Sequence, residues 1–164
     1  MSLGMIILGR QGSGKGTQAV RIAERFQVVH ISTGDMLRSA VQEGTELGLK
    51  AKSIMDAGGL VTDDVVNGIV AERLAKDDVQ NSGFLLDGYP RTVGQAVELK
   101  QLVGESLKLA INLDVSIEEV TQRMMSRGRE DDTPEAIARR LELYEAETAP
   151  VSYTHLRAHE TCTN

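Results

Sequence analysis

Short apolar runs and longer helical patterns alternate along this chain. Runs at 3–8, 28–31, 84–86 and 107–115 are dominated by Ile, Leu and Val, which predicts four strands of a buried sheet. Between them, 15–26, 62–76 and 92–103 place apolar residues at helical spacing; Val65, Val66, Ile69, Val70 and Leu74 are the clearest set. Ser116 followed by Glu119 forms a capping box that opens a helix ending near Met125. Thr133 and Pro134 open another, with a cap and then proline at the first helical position. Such alternation predicts a parallel sheet covered by helices on both faces. The stretch 33–60 breaks the rhythm, because helical patterns at 35–42 and 47–57 follow each other with no strand between. That predicts an inserted helical unit.

Composition narrows the class. A chain of 164 residues is the size of one domain, and 41% hydrophobic with 26% charged residues is ordinary for a soluble globular protein. Aromatics make up 3% and Trp is absent, so aliphatic side chains must build the core. A net charge of -6 argues against a nucleic-acid polymer as partner, while leaving room for a small phosphorylated substrate on local arginines. The single cysteine, Cys162, excludes an internal disulfide and a cysteine zinc cage. No apolar run reaches bilayer length and no signal peptide opens the chain, so a cytoplasmic protein with no membrane partner is expected.

The stretch GRQGSGKGTQ, residues 9–18, follows the first strand and leads into the first helix. A glycine-rich loop there points several backbone N–H groups at one spot, and the helix N-terminus adds partial positive charge. Gly12, Ser13, Gly14, Lys15, Gly16 and Thr17 thus form a phosphate cradle, with Lys15 as a mobile cation and the Thr17 hydroxyl suited to a Mg²⁺ shell. The pattern is a variant P-loop, since Gly16 separates the lysine from the hydroxyl residue. By itself it fits an ATPase, a GTPase or a kinase.

Further stretches choose among these. STGDMLR (32–38) follows the second strand, GLVTD (59–63) closes the inserted helices, and LLDGYPRT (85–92) leaves the third strand with Gln95 just beyond. Arg123, Arg127 and Arg129 precede Asp131 and Asp132, and Arg140 lies further on. In this order and spacing, from about 5 to 151, the sequence resembles the adenylate kinases, in their bacterial short-lid form. Gln11 stands where that family usually has proline. The resemblance implies a three-layer α/β fold of the P-loop nucleoside monophosphate kinases, with a parallel sheet flanked by helices. It implies a core at 1–31, 62–126 and 133–153, an AMP-binding helical insert at 32–61, and a short lid at 127–132 with no zinc. The implied reaction is Mg²⁺-dependent phosphoryl transfer from ATP to AMP giving two ADP, by a monomer.

The same resemblance implies the site. Thr33, Arg38, Gly59, Leu60, Val61, Gly88, Tyr89, Pro90, Arg91 and Gln95 form the AMP cradle. Arg38 and Arg91 suit its phosphate, because a guanidinium fork matches two oxygens, and the Gln95 amide suits an adenine edge. Arg123 and Arg127 go to ATP, while Arg129 and Arg140 go to the reacting phosphates on the AMP side. Lys15, Arg91, Arg127, Arg129 and Arg140 form the catalytic set, and Arg139 is left on the surface. Asp87, with Thr17, would hold Mg²⁺ through water. Asp35 reads as a helix cap and His30 as a core residue. The alternatives are a kinase for another monophosphate, UMP or CMP, and a shortened nucleotide-binding protein with little activity. Beyond 153 the chain departs from the family: 154–164 has no strand alternation, so the final strand and helix are expected to be missing.

Overall fold

Six consecutive buried residues, Gly4–Gly9, form strand β1 in the interior of the sheet. The computed structural model describes residues 3–151. Strands β2 (Val29–Ser32), β3 (Phe84–Asp87) and β4 (Leu107–Leu113) complete a four-stranded sheet in the order β2-β3-β1-β4, with every pairing parallel. The registers set Asp87 beside both Ile7 and Ser32, so three strand ends meet at one edge of the sheet. The carboxyl edge of a parallel sheet is where ligands of such folds bind.

Helices cover both faces, as the alternation predicted. Helix α1 (Lys15–Phe26) lays Ala19 and Ala23 on Met5, Ile7 and Leu85; small residues here let the helix sit close to the sheet. On the other face Val66, Val70 and Leu74 of α4 (Asp63–Leu74) and Leu99 of α6 (Val93–Val103) pack with Ile6, Leu8, Phe84 and Leu86. Burying aliphatic side chains of this size contributes roughly 1.5–3 kcal/mol each. Helices α2 (Thr33–Gln42) and α3 (Glu46–Asp56) follow β2 with no strand between them. Thr45 caps α3, its hydroxyl accepting from the Gly48 N–H.

The helical pattern at 62–76 forms one helix, and a second helix that the pattern does not include follows it. Helix α4 ends at Leu74 and Lys76 is the N-cap of a new helix, α5 (Asp77–Ser82). Asp77 and Asp78 favour a helix start, and Arg73 donates across the joint to both Asp78 oxygens at 2.9 and 2.7 Å. The strand expected to reach 115 stops at Leu113, because Asp114 and Val115 turn to accept from Arg10. Helices α7 (Ile117–Ser126) and α8 (Pro134–Leu143) begin at the predicted caps, where the Ser116 and Thr133 hydroxyls accept from Glu119 and Ala136 N–H groups. A π-type turn, Tyr144–Thr148, and a short turn, Ala149–Val151, follow α8.

Among the described residues β4 has no partner on its outer side, and Leu109 is 48% exposed. The expectation about 154–164 lies outside the described residues. Among those described, no helix is long and apolar enough to cross a membrane.

Candidate active site

Leaving β1, the backbone turns through residues 10–14 into α1, and two glycines make the turn possible. Gly12 has φ 84°, and a Cβ there would lie 2.8 Å from the Val120 carbonyl oxygen, so the loop sits directly on α7. Gly14 has φ 94° with open space around it, so at that position the left-handed backbone alone demands glycine. Ser13 N–H donates to the Arg10 carbonyl at 3.1 Å and closes the turn. Lys15 Nζ donates to the carbonyls of Gly9 and Arg10 at 2.8 and 2.9 Å. Burial, opposed by Asp87 and reinforced by the charges of Arg91 and Arg127, pulls the Lys15 pKa down to about 8.

The loop borders a cleft of about 520 Å³. Gly12, Gly14, Lys15, Gly16, Thr17 and Arg123 line it from the P-loop side, together with Arg127. Thr33, Arg38, Gly59, Leu60, Val61, Gly88, Pro90, Arg91, Gln95, Arg129 and Arg140 line the same cleft. Asp87 also faces it. Two expected residues stand back from it. Ser13 is buried beneath the loop, and its hydroxyl oxygen has no hydrogen-bond partner among the described residues. Tyr89 is wholly buried, with its hydroxyl 2.7 Å from Asn67 Oδ1 and 3.2 Å from the Gln95 carbonyl. Its role is to anchor the 88–91 loop rather than to face the cleft.

The cations divide by partner. Arg127 donates through Nη2 to Asp132 Oδ1 at 2.8 Å, and Arg140 donates through Nη1 to the same oxygen at 2.7 Å. Arg140 also pairs with Asp131, and its Nη2 reaches the Met55 carbonyl at 3.0 Å, tying α8 to the end of α3. The Asp132 side chain is only 2% exposed. Burial works against its charge, but hydrogen bonds from Arg127 and the charges of Arg127 and Arg140 hold its pKa below the usual range. Arg38 pairs with Asp35, and Arg123 with Glu119 at 2.8 Å. Lys15, Arg91 and Arg129 have no carboxylate partner among the described residues. Among the described residues the Arg91 guanidinium donates only through Nε, to the Gly88 carbonyl at 2.8 Å. Desolvation, with Arg140 and Arg38 nearby, lowers its pKa against the pull of Asp87.

Three side chains differ from expectation. Asp35 does not cap α2; the Ser32 hydroxyl does, accepting from Asp35 N–H at 3.3 Å, while the Asp35 carboxylate faces the cleft. His30 is half-buried rather than core, because β2 is an edge strand, and its Nε2 lies 3.4 Å from Asp87 Oδ2. Arg10, one residue into the loop, has a structural role that the sequence pattern does not predict. Its guanidinium donates to Glu145 Oε1 at 2.9 and 2.6 Å, to Asp114 at 3.1 Å and to the Val115 carbonyl at 3.0 Å. It also lies 5.4 Å from the Tyr144 ring centroid. The side chain therefore bolts the P-loop to the end of β4 and to the turn after α8. Only the chemical oddity of an arginine inside a glycine loop hints at this in the sequence.

Asp87 is 8% exposed, and a Cβ on Gly16 would lie 3.7 Å from its Oδ2, so the carboxylate abuts the phosphate loop. Among the described residues no three His, Cys, Asp or Glu side chains form a metal cage. One carboxylate and one hydroxyl beside a phosphate cradle fit a hard cation that keeps water and phosphate as its other ligands, as Mg²⁺ does.

The parallel sheet, the glycine loop opening α1 and the helical pair beside the cleft define a P-loop nucleoside monophosphate kinase fold. The family model described as adenylate kinase matches residues 7–158. An adenylate kinase of Stenotrophomonas maltophilia is 49% identical over 154 residues, covering 90% of this chain and 82% of the relative. One of Oenococcus oeni is 51% identical over 155 residues, covering 92% and 82%. Adenylate kinase 1 of a Nostoc species is 50% identical over 150 residues, covering 90% and 81%. The chain belongs to the adenylate kinase family.

Proposed function

We propose that this chain moves the terminal phosphoryl group of ATP to AMP, giving two ADP. The observation that carries the reading is that one cleft collects both a P-loop and a second set of phosphate- and base-suited residues, with cations between them. The charges of Arg91 and Arg127 act on Lys15, and those of Arg140 and Arg38 act on Arg91, with Asp87 acting against them, so the cations of the two sets are electrostatically coupled. A hydrolase or a switch has no use for the second set.

In this reading the loop N–H groups and the start of α1 cradle the ATP phosphates, and Lys15 leaves its carbonyl partners for the outer ones. Arg38 and Arg91 present their forks to the AMP phosphate. Gln95 faces the AMP base and Arg123 the ATP side. An AMP phosphate oxygen is already anionic and attacks the terminal phosphorus of ATP. The bond from that phosphorus to the bridging oxygen breaks, and ADP leaves with the electron pair. No side chain needs to take a proton. Lys15, Arg91, Arg127, Arg129 and Arg140 stabilise charge spread over the equatorial oxygens, which is the main contribution a protein makes to such a transfer. Asp87 and Thr17 would hold Mg²⁺ through its water shell; the ion supplies charge neutralisation on the ATP phosphates. Residues 32–61 and 127–132 serve as covers that exclude water. A cytoplasmic enzyme acting as a monomer is part of the same reading and draws on the family resemblance.

The test is a coupled assay of ADP formation from MgATP with and without AMP. Two ADP per ATP consumed, with AMP required and UMP and CMP poor substitutes, is the expected outcome. AMP-independent ADP release, or a preference for UMP or CMP, would overturn the reading.

A further inference from the structure

The Gln95 side chain reaches the cleft with its amide already half-committed. Its Oε1 accepts from the Arg91 backbone N–H at 2.7 Å, and its Nε2 donates to Asp63 Oδ1 at 2.9 Å. The other oxygen of Asp63 accepts from the Thr92 hydroxyl at 2.7 Å, and that hydroxyl in turn accepts from Gln95 N–H at 3.1 Å, capping α6. Asp63, the first residue of α4, therefore grips both the cap of α6 and the amide that α6 presents. Gln95 is 2% exposed, so the network is largely shut off from water.

A backbone N–H only donates and a carboxylate only accepts. The amide is thus locked from both sides: turning it over would set two donors face to face at Arg91 and two acceptors face to face at Asp63. Of its four hydrogen-bonding capacities, one N–H and one carbonyl lone pair remain for a ligand, in a fixed spatial order. That order separates purines. A 6-aminopurine offers an acceptor at N1 and a donor at the amino group, whereas a 6-oxopurine offers a donor at N1 and an acceptor at O6. An amide set to pair with one mismatches the other at both bonds.

We propose that Asp63 is a positioning residue that sets base selectivity in the monophosphate site, by holding the Gln95 amide in the sense that accepts 6-aminopurine and rejects 6-oxopurine nucleotides. The proposal rests on the reading of Gln95 as an AMP contact. Asp63 itself does not line the cleft and acts through Gln95.

Equilibrium binding of AMP and IMP, measured by calorimetry on wild type, Asp63→Asn and Asp63→Ala, tests it without relying on turnover. Asn is isosteric and offers a donor as well as an acceptor, so it no longer forbids the reversed amide; the AMP-over-IMP ratio should fall about fivefold. In Asp63→Ala the ratio should fall about tenfold or more, with ATP affinity unchanged. In steady-state kinetics the AMP KM should rise in both variants, with kcat at saturating AMP within about threefold of wild type. If Asp63 only caps α6, both variants lose thermal stability while the AMP-to-IMP ratio stays at the wild-type value, and the proposal fails. Should Ala not fold, the Asn ratio decides alone. Failure of phosphoryl transfer to AMP in wild type would overturn the proposed activity separately, since the binding ratio is read either way.

Discussion

Two groups of cations face the same cleft in opposite states. Arg127 and Arg140, around the stretch 127–132, are clamped on Asp132, whose carboxylate is 2% exposed, and Arg140 holds Asp131 as well. Lys15, which opens α1, and Arg91, past the end of β3, donate their side-chain hydrogen bonds only to backbone carbonyls among the described residues, and burial lowers the pKa of each. The first group is balanced by the chain itself. The second has no salt-bridge partner among the described residues and only the charge of Asp87 to offset its burial, an arrangement that an anionic ligand relieves. The contrast separates two jobs: the paired arginines shape and hold a cover, and the unpaired cations define where phosphate must go.

The largest expected effect follows from removing the central unpaired charge. Lys15→Met should lower kcat roughly 10²–10³-fold, the scale seen when a preorganised charge stabiliser is lost. It should also alter stability with a definite sign. The folded lysine has a pKa near 8, against an ordinary 10.5, so between these values the unfolded chain binds a proton the folded one lacks. Wild-type stability should therefore rise across that window, and the variant should lack the rise and be the more stable protein below pH 8. Melting curves from pH 7 to 10.5 check this; parallel curves for the two proteins would refute it.

Arg91→Lys keeps the charge but loses the fork, whose two Nη atoms have no acceptor among the described residues. A drop of about 100-fold in kcat/KM for AMP, with the ATP KM little changed, is expected from steady-state kinetics. KM values for AMP and ATP raised by the same factor would place Arg91 in general packing instead.

On the paired side, Asp132→Asn leaves Arg127 and Arg140 without their shared acceptor charge. A destabilisation of about 3 kcal/mol should appear in denaturant titration near neutral pH. Because the folded Asp132 pKa is depressed, the stability it contributes is present above the unfolded carboxylate range, near pH 4, and is lost as pH falls through the lower folded value. The variant should show a shallower acid loss than wild type. The smallest effect belongs to Arg139, which is exposed on α8 beside Arg140. Arg139→Ala should change kcat and KM by less than about twofold.

The same contrast shows how far a sequence can be read. Strands, helices and caps follow from short-range pattern: the glycines of 9–16 mark their turn, and Ser116 and Thr133 mark their helices. The members of the cleft were also legible, since the motifs carrying them sit at strand ends. Their pairing was not. Nothing in the order of residues says that Asp132 holds Arg127 and Arg140 while Arg91 forms no salt bridge among the described residues. Arg10 and Glu145 are 135 positions apart, and a contact of that kind leaves no periodic trace. The commitment of Gln95 to Asp63 is hidden for the same reason, because it depends on how α4 and α6 pack. Helix α5, only 6 residues long, lies beyond the apolar spacing that ends at Leu74 and went unread, although the two aspartates that start it were in view.

The central claim is that Lys15, buried with no salt-bridge partner among the described residues, is matched by phosphate when ligands bind. Its most direct test is the Lys15 pKa, followed through the side-chain Cε resonance in protein labelled with ¹³C-lysine. The free protein should titrate near 8, and adding AMP with an ATP analogue bearing a methylene β,γ-bridge should move the value upward past that of a solvated lysine. A value close to 10.5 in the free protein, unchanged by the nucleotides, would contradict it.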